Sequence, residues 1–84
     1  MKHDVEVALW GNLRPLVGGA ETVTVQARNI RQMLEALVTA WPALEPIIEA
    51  GVSVAIDGRV YATSLTQPIP EGAEVVLMQR LKGG

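Results

Sequence analysis

Residues 29–41 read NIRQMLEALVTAW, and their apolar side chains recur at the spacing of one helical face. Asn29 is a favourable N-cap residue, and Gln32 three positions later completes a capping-box pattern. Pro42 disfavours helical geometry at the preceding residue, Trp41. The stretch therefore predicts an amphipathic helix that begins after Asn29 and ends at Trp41. Its apolar stripe consists of Ile30, Met33, Leu34, Leu37, Val38 and Trp41.

Alternating apolar residues on both sides of this helix predict strands with one buried face. Residues 13–17 of the connection between the first two strands predict an irregular loop that ends at Gly18-Gly19. Residues 43–50 predict a short helical turn that stops at Gly51. The predicted strands cover residues 5–10 and 21–25 before the helix, and 52–56, 60–61 and 74–78 after it.

The order strand, strand, helix, strand, short strand, strand predicts an α+β domain in which one main helix packs on one face of a mixed sheet. Asp57-Gly58, between the third and fourth strands, is a strong signal for a two-residue hairpin turn. Asp57 is therefore interpreted as a turn residue and not as a catalytic carboxylate. We expect one domain over residues 1–84, with residues 79–84 as a flexible C-terminal tail.

The last predicted strand is apolar on both faces, since Val75 and Leu77 alternate with Val76 and Met78. Such a strand is usually central in its sheet. Because a single helix covers one face only, the other face is expected to carry an apolar patch. This patch is interpreted either as a docking surface for a partner or as scattered surface residues. Its predicted members are Trp10, Val76 and Met78, with Val60 or Tyr61 from the hairpin.

The composition restricts the possible function classes. With 84 residues, 49% hydrophobic, 19% charged and a net charge of −2, the chain is typical of a compact domain and not of a nucleic-acid-binding one. It has no cysteine and one histidine, His3, so no metal site and no catalytic thiol are expected. No run approaches the ~20 apolar residues of a membrane span and no signal-type segment follows Met1, so a cytoplasmic location is expected.

The sequence ends on two glycines, in the run Arg80-Leu81-Lys82-Gly83-Gly84. Glycine makes up about 7% of average composition, so a chance pair at these two positions has a prior of roughly 0.5%. A tail that ends in Gly83-Gly84 can enter a narrow groove and present an unhindered carboxylate to another enzyme. A frayed terminus without a function is the alternative interpretation.

Taken together, these features resemble the MoaD/ThiS sulfur carriers. These are the small subunit of molybdopterin synthase and its thiamine-pathway relative, which share the ubiquitin-like β-grasp fold. The resemblance covers essentially the whole chain, and the terminal diglycine is its most specific part. It is carried by the ββαββ order and by the segments Leu13-Arg14-Pro15-Leu16-Val17-Gly18, Ile30-Arg31-Gln32-Met33-Leu34-Glu35-Ala36-Leu37, Trp41-Pro42, Pro70-Glu71-Gly72-Ala73-Glu74-Val75 and Gly83-Gly84.

The resemblance implies a carrier that is a substrate of other enzymes and not itself an enzyme. An E1-like partner would adenylate the Gly84 carboxylate with ATP, a sulfur donor would convert it to a thiocarboxylate, and the large subunit of an acceptor synthase would receive the sulfur. Gly83 would pass the constriction of the partner's active site. No cofactor is expected to be bound stably, and no nucleic acid or membrane partner is implied. The residues that would contact partners are Trp10, Val76, Met78, Arg80, Leu81 and Lys82.

The approach to the glycines leaves other functions open. Gln79-Arg80-Leu81-Lys82 is basic and looks like the tail of ubiquitin, whereas molybdopterin-type carriers usually have an uncharged approach that contains proline. Arg80 and Lys82 could steer the tail towards an acidic cradle. The alternatives are a protein modifier that is conjugated through Gly84, a thiamine-type sulfur carrier, and a non-covalent β-grasp interaction module.

Overall fold

The structure is a computed structural model that describes residues 2–61 and 65–79. Its strands form a five-stranded mixed sheet of order β2-β1-β5-β3-β4, in which β1 and β5 run parallel and the other neighbours run antiparallel. The predicted α+β class and the central position of the last strand are therefore confirmed. The elements are β1 His3–Leu9, a 3-10 helix Gly11–Val17, β2 Thr22–Ala27, α1 Ile30–Ala40, a 3-10 turn Pro42–Leu44, α2 Glu45–Ala50, β3 Val52–Ile56, β4 Arg59–Tyr61 and β5 Val75–Gln79.

The start of α1 has the capping geometry that its sequence predicts. The Asn29 side chain accepts a hydrogen bond of 2.9 Å from the Gln32 N–H. In return, the Gln32 side chain accepts one of 3.0 Å from the N–H of Arg28, the residue before the cap. The helix ends at Ala40, and the N–H of the C-cap residue Trp41 donates to Leu37 O at 2.7 Å. The Gln32 N–H, one of the amides that a helix start leaves unpaired, thus acquires a partner, whereas the return bond goes to the residue before the cap and not to the cap itself.

Substitution of Asn29 by alanine is expected to lower the free energy of unfolding by about 1 kcal/mol, because the Gln32 N–H loses its acceptor. Urea denaturation followed by circular dichroism measures this change. Asn29→Asp is the matched control and should retain most of the stability, because a carboxylate accepts the same bond. Equal loss of stability in both variants would show that the cap oxygen is not the source of the effect.

The connection between β1 and β2 corrects one prediction. Residues 13–17 were predicted to form an irregular loop, but they belong to the 3-10 helix Gly11–Val17. Leu13 and Val17 of this helix are buried, and Gly18 ends it in the left-handed region at φ 73°. Pro15 indicated a loop because proline disfavours the interior of an α-helix. A short 3-10 helix accommodates it.

The ends of four strands, β1, β2, β4 and β5, also differ from the prediction. β1 begins at His3 and ends at Leu9, and Trp10 follows as the residue before the 3-10 helix. β5 continues to Gln79, which pairs with Val52 of β3, so Gln79 belongs to the sheet and not to the tail. Pairing with a neighbouring strand decides where a strand ends, and the alternation of apolar residues in the sequence does not show where that pairing stops.

The core lies between α1 and one face of the sheet. Val7, Met33, Leu37 and Leu77 have no exposed surface. Consecutive residues of a strand point to opposite faces of the sheet. The residues that precede and follow Val7 and Leu77 in their strands therefore direct their side chains to the face that α1 does not cover. Within the described ranges, no helix combines the length and the apolar character that crossing a membrane requires.

Candidate docking surface and C-terminal tail

The face of the sheet that α1 does not cover carries a row of apolar side chains on four neighbouring strands. Ala8 of β1 pairs with Val76 of β5, and Val76 pairs with Ala55 of β3. Ala55 pairs in turn with Val60 of β4. Directly paired residues point to the same face, so these four side chains lie side by side. Val60 at the end of the row is 60% exposed.

Trp10 and Met78 extend this row towards the end of β5. Trp10 keeps an extended backbone, with φ −104° and ψ 144°, and therefore continues the alternation of β1 on the face of Ala8. Its N–H donates to Leu77 O at 3.3 Å, which holds it beside Met78. The Trp10 side chain is 56% exposed, and that of Met78 is half-buried. We call this set the open-face patch: Ala8, Trp10, Ala55, Val60, Val76 and Met78.

The structure brings together the three described residues that the sequence predicted for a docking face, Trp10, Val76 and Met78. It also decides between the two hairpin candidates. Val60 lies on the open face, whereas Tyr61 pairs with the buried Val54 and lies on the face of the core. Ala8 and Ala55 were missed, because an alanine gives no signal of its own and becomes part of the patch only through pairing across the sheet.

The open-face patch has an acidic border at the end where β5 begins. Asp4 and Glu6 are exposed on β1 and alternate with the buried Val5 and Val7, so they share the face of Ala8. The exposed Glu74, two residues before Val76, lines the same shallow concavity. A partner that covers the patch would match this border with basic groups, because like charges at an interface are repelled.

Asp57 has the structural role that its sequence context predicts. Its φ of 50° lies in the left-handed region, and Gly58 follows with φ 85°, as a tight hairpin turn requires. Its carboxylate accepts a hydrogen bond of 2.9 Å from the Glu74 N–H, and its own N–H donates to Glu74 O at 2.8 Å. Asp57 therefore ties the β3–β4 turn to the entrance of β5.

The predicted reactive segment follows directly after β5. Arg80, Leu81, Lys82, Gly83 and Gly84 lie outside the described residues, so the roles predicted for them stay predictions. Five residues follow Gln79, and a chain of that length spans at most about 17 Å when fully extended. Since Met78 belongs to the open-face patch, a protein that binds the patch also lies within reach of the chain after Gln79.

Metal ligands are not grouped in the described part of the chain. Residues 2–61 and 65–79 contain no cluster of three or more His, Cys, Asp or Glu side chains that could hold a metal ion. The one histidine, His3, is half-buried at the start of β1, and its Nε2 has no hydrogen-bond partner.

Comparison with known proteins relates the chain to small archaeal modifier proteins through its structure. No model of a known protein family matches the sequence, and no curated protein is significantly similar to it. The crystal structure of SAMP1 from Haloferax volcanii is similar, with a TM-score of 0.76 and 27% identity over 98% of this chain and 100% of that one. The small archaeal modifier protein 1 of Methanosarcina acetivorans has a TM-score of 0.83 and 20% identity over 100% and 99% of the two chains.

The chain has the ubiquitin-like β-grasp fold. This confirms the fold and the structural resemblance that the sequence predicted. A further similar β-grasp chain is part of the complex of subunits 1 and 2 of the molybdopterin-converting factor from Helicobacter pylori. Its TM-score is 0.68, with 18% identity over 98% of this chain and 100% of that one. The Haloferax volcanii and Methanosarcina acetivorans structures are of small archaeal modifier proteins, and the Helicobacter pylori structure is of a protein–protein complex.

Proposed function

We propose that this β-grasp protein is a cytoplasmic sulfur carrier that is activated at the Gly84 carboxylate and donates sulfur in molybdopterin biosynthesis. The observation that carries the proposal is the diglycine, Gly83-Gly84, which begins four residues after the central strand of a β-grasp domain. The likeness to a subunit of a molybdopterin-converting factor supports the choice of pathway. The protein itself acts as a substrate, and its partners carry out the chemistry.

The activation follows from the chemistry of a carboxylate. A carboxylate is a poor electrophile because its oxygen is a poor leaving group, and adenylation changes this. A carboxylate oxygen of Gly84 attacks the α-phosphorus of ATP in an E1-like partner, and pyrophosphate leaves. Sulfide, HS⁻, supplied by the donor then attacks the carbonyl carbon, AMP leaves, and loss of the sulfur-bound proton to solvent gives the Gly84 thiocarboxylate. Gly84 has no side chain, so the carbonyl carbon is unhindered on both sides.

The open-face patch is the part of the domain that would bind the partners. It is apolar, it includes the half-exposed Trp10, and it lies beside the end of β5. Aromatic side chains at the centre of an apolar patch commonly dominate the binding energy of an interface. Arg80 and Lys82 would add attraction to an acidic surface around the partner's active site, and Leu81 would add an apolar contact. The patch and the tail would thus engage one partner together.

Intact mass spectrometry tests the proposal. The full chain is incubated with ATP, the E1-like enzyme and a sulfur donor, and the same mixture without ATP is the control. We expect the mass to increase by one exchange of oxygen for sulfur, located by fragmentation at Gly84, and only in the presence of ATP. A chain that keeps its unmodified carboxylate under all of these conditions would rule out the carrier function.

A protein modifier is the second candidate, because the Haloferax volcanii structure with 27% identity is of a small archaeal modifier protein. In this function the activated Gly84 carbonyl forms an isopeptide bond with a lysine of a target protein. Stable adducts of higher mass, which contain the Gly84 isopeptide after proteolysis, would identify the modifier. A carrier transfers its sulfur and leaves no stable adduct.

A further inference from the structure

The acidic border of the open-face patch places like charges side by side. Val7 pairs with Val75 in the parallel β1–β5 ladder, so Glu6 and Glu74, one residue earlier in the chain, are neighbours across the sheet. Both are exposed, and neither carboxylate has a hydrogen-bond or ion-pair partner among the described residues. Neighbouring like charges on one face of a sheet are destabilising. The domain itself therefore gains no stability from this arrangement.

Two further carboxylates extend the border. The Asp57 carboxylate accepts the Glu74 N–H at 2.9 Å, so a third negative charge lies next to Glu74. Asp4 lies two residues before Glu6 on the same face of β1 and accepts a hydrogen bond from the neutral Gln26 side chain. Within residues 2–61 and 65–79, no cation forms an ion pair with any of these carboxylates. The border is thus a negative surface whose charges are unpaired in the described part of the chain.

The opposite end of the patch carries a positive charge. The Arg14 Nε donates to Leu9 O at 3.0 Å, which holds the guanidinium beside the peptide that joins Leu9 to Trp10. Because β1 and β5 run parallel, the border and this cation lie at opposite ends of the same two strands. Lys2 lies away from the patch, since it lines a hollow with Ala36 and other residues of α1. The charge along the patch therefore changes sign between the start of these strands and their end.

β5 fixes the distance between the border and the tail. Glu74 precedes β5 and Gln79 ends it, a separation of five residue steps, or roughly 17 Å at the rise of a strand. β5 pairs with β1 on one side and with β3 on the other, so the sheet holds this separation. A partner that contacts both the border and Trp10 therefore docks in one orientation, with the tail at the end away from the border.

We propose that the acidic border orients the enzyme that activates Gly84 on the open-face patch. The enzyme presents Lys or Arg side chains to Glu6 and Glu74, an apolar surface to Trp10, and its active site beyond the end of β5. Charge complementarity selects this chemistry, because an uncharged or acidic surface would leave the carboxylates desolvated without partners. A second copy on this face would cover the Trp10 side chain, which the proposed function uses for partner binding. The inference rests on the proposed function, because it takes the activating enzyme as the occupant.

Association kinetics with the purified E1-like enzyme test the proposal. The full chain with both Glu6→Gln and Glu74→Gln is the border variant. The chain with both Glu45→Gln and Glu49→Gln is the matched control, because it removes the same amount of charge from α2 on the helix side. At about 0.1 M salt, where charges act over about 10 Å, the border variant should associate about three- to tenfold more slowly than wild type, and the control at the wild-type rate. At about 1 M salt, with a screening length of about 3 Å, all three chains should associate at the same rate.

Urea denaturation of the same variants verifies that the effect is not a loss of folding. The urea midpoint of the border variant should not fall below that of the wild-type protein, because the substitutions remove neighbouring like charges. A border variant that associates at the wild-type rate at the lower salt concentration would overturn the inference. If mass spectrometry of the wild-type chain still shows the Gly84 thiocarboxylate, the proposed function remains intact.

Two other outcomes separate the inference from its alternatives. Association that depends on the border, in a chain that never acquires a thiocarboxylate, would support the docking orientation and contradict the proposed function. Self-association of the wild-type chain that the substitutions at Glu6 and Glu74 abolish would assign the face to a second copy and overturn the proposal. Sedimentation equilibrium of the chain without the enzyme measures this self-association.

Discussion

Deletion of Gly83 and Gly84 is expected to reduce activation by the E1-like partner to background. The deletion leaves the fold intact, because β5 ends at Gln79, four residues before the deleted pair. It shortens the reach of the chain beyond Gln79 by about 7 Å. It also moves the carboxylate to Lys82, whose long side chain cannot pass a groove that fits glycine. Pyrophosphate exchange with ATP measures the loss directly.

The matched control keeps the length of the tail and changes only its shape. Gly84→Ala retains the carboxylate at its position and adds a single Cβ, so it should show intermediate exchange. Both variants should unfold at the same urea concentration as the wild-type protein, because neither changes a residue of the sheet or of α1. Exchange by the deletion variant at the wild-type rate would contradict activation at Gly84. Absence of exchange with the wild-type chain itself would favour the non-covalent interaction module, in which the glycines have no role.

Substitution of Trp10 by glutamate is expected to weaken binding of the domain to its activating or acceptor partner by about 2–4 kcal/mol, which corresponds to roughly 30- to 1000-fold in Kd. Trp10 is the largest side chain of the open-face patch and is 56% exposed. A carboxylate at this position loses the apolar contact and has to be desolvated on binding. Isothermal titration calorimetry with the purified partner measures the change in Kd.

Leu65→Glu is the matched control for this experiment. Leu65 is also a large exposed apolar residue, at 44%, but it lines a groove with Ile30 and Leu34 on the helix side of the sheet. Its substitution should leave the Kd of the partner unchanged. If Leu65→Glu weakened binding and Trp10→Glu did not, the partner would use the helix side and the open-face patch would not be the docking surface. Thermal unfolding of both variants verifies that the domain remains folded.

The diglycine deletion and Trp10→Glu together separate the candidate functions. A sulfur carrier or modifier needs both Gly84 and the open-face patch, so the diglycine deletion and Trp10→Glu should each impair it. A non-covalent module needs the patch alone and should tolerate the deletion. The deletion should leave the Kd of partner binding closer to wild type than Trp10→Glu does, because the patch supplies the larger apolar contact.

The sequence determined the features that depend on near neighbours in the chain. The capping pattern of Asn29 and Gln32, the apolar stripe of α1 and the Asp57-Gly58 turn were predicted correctly. Each of them is a local arrangement, in which residues a few positions apart decide whether backbone groups and apolar side chains find partners. The element order predicted the α+β class, and the resemblance to the MoaD/ThiS sulfur carriers predicted the β-grasp fold.

Only the tertiary structure decided what depends on distant parts of the chain. The open-face patch exists because β5 pairs with β1 on one side and with β3 on the other, which brings Ala8, Val76 and Ala55 into one row. Pairing of β5 with β3 places Gln79 in the sheet, and pairing of β4 with β3 places Tyr61 on the core face. Strand pairing joins residues far apart in sequence through backbone hydrogen bonds that are nearly the same for every residue type. The pattern of side chains therefore predicts which face is apolar, whereas the strand register decides which residues meet there.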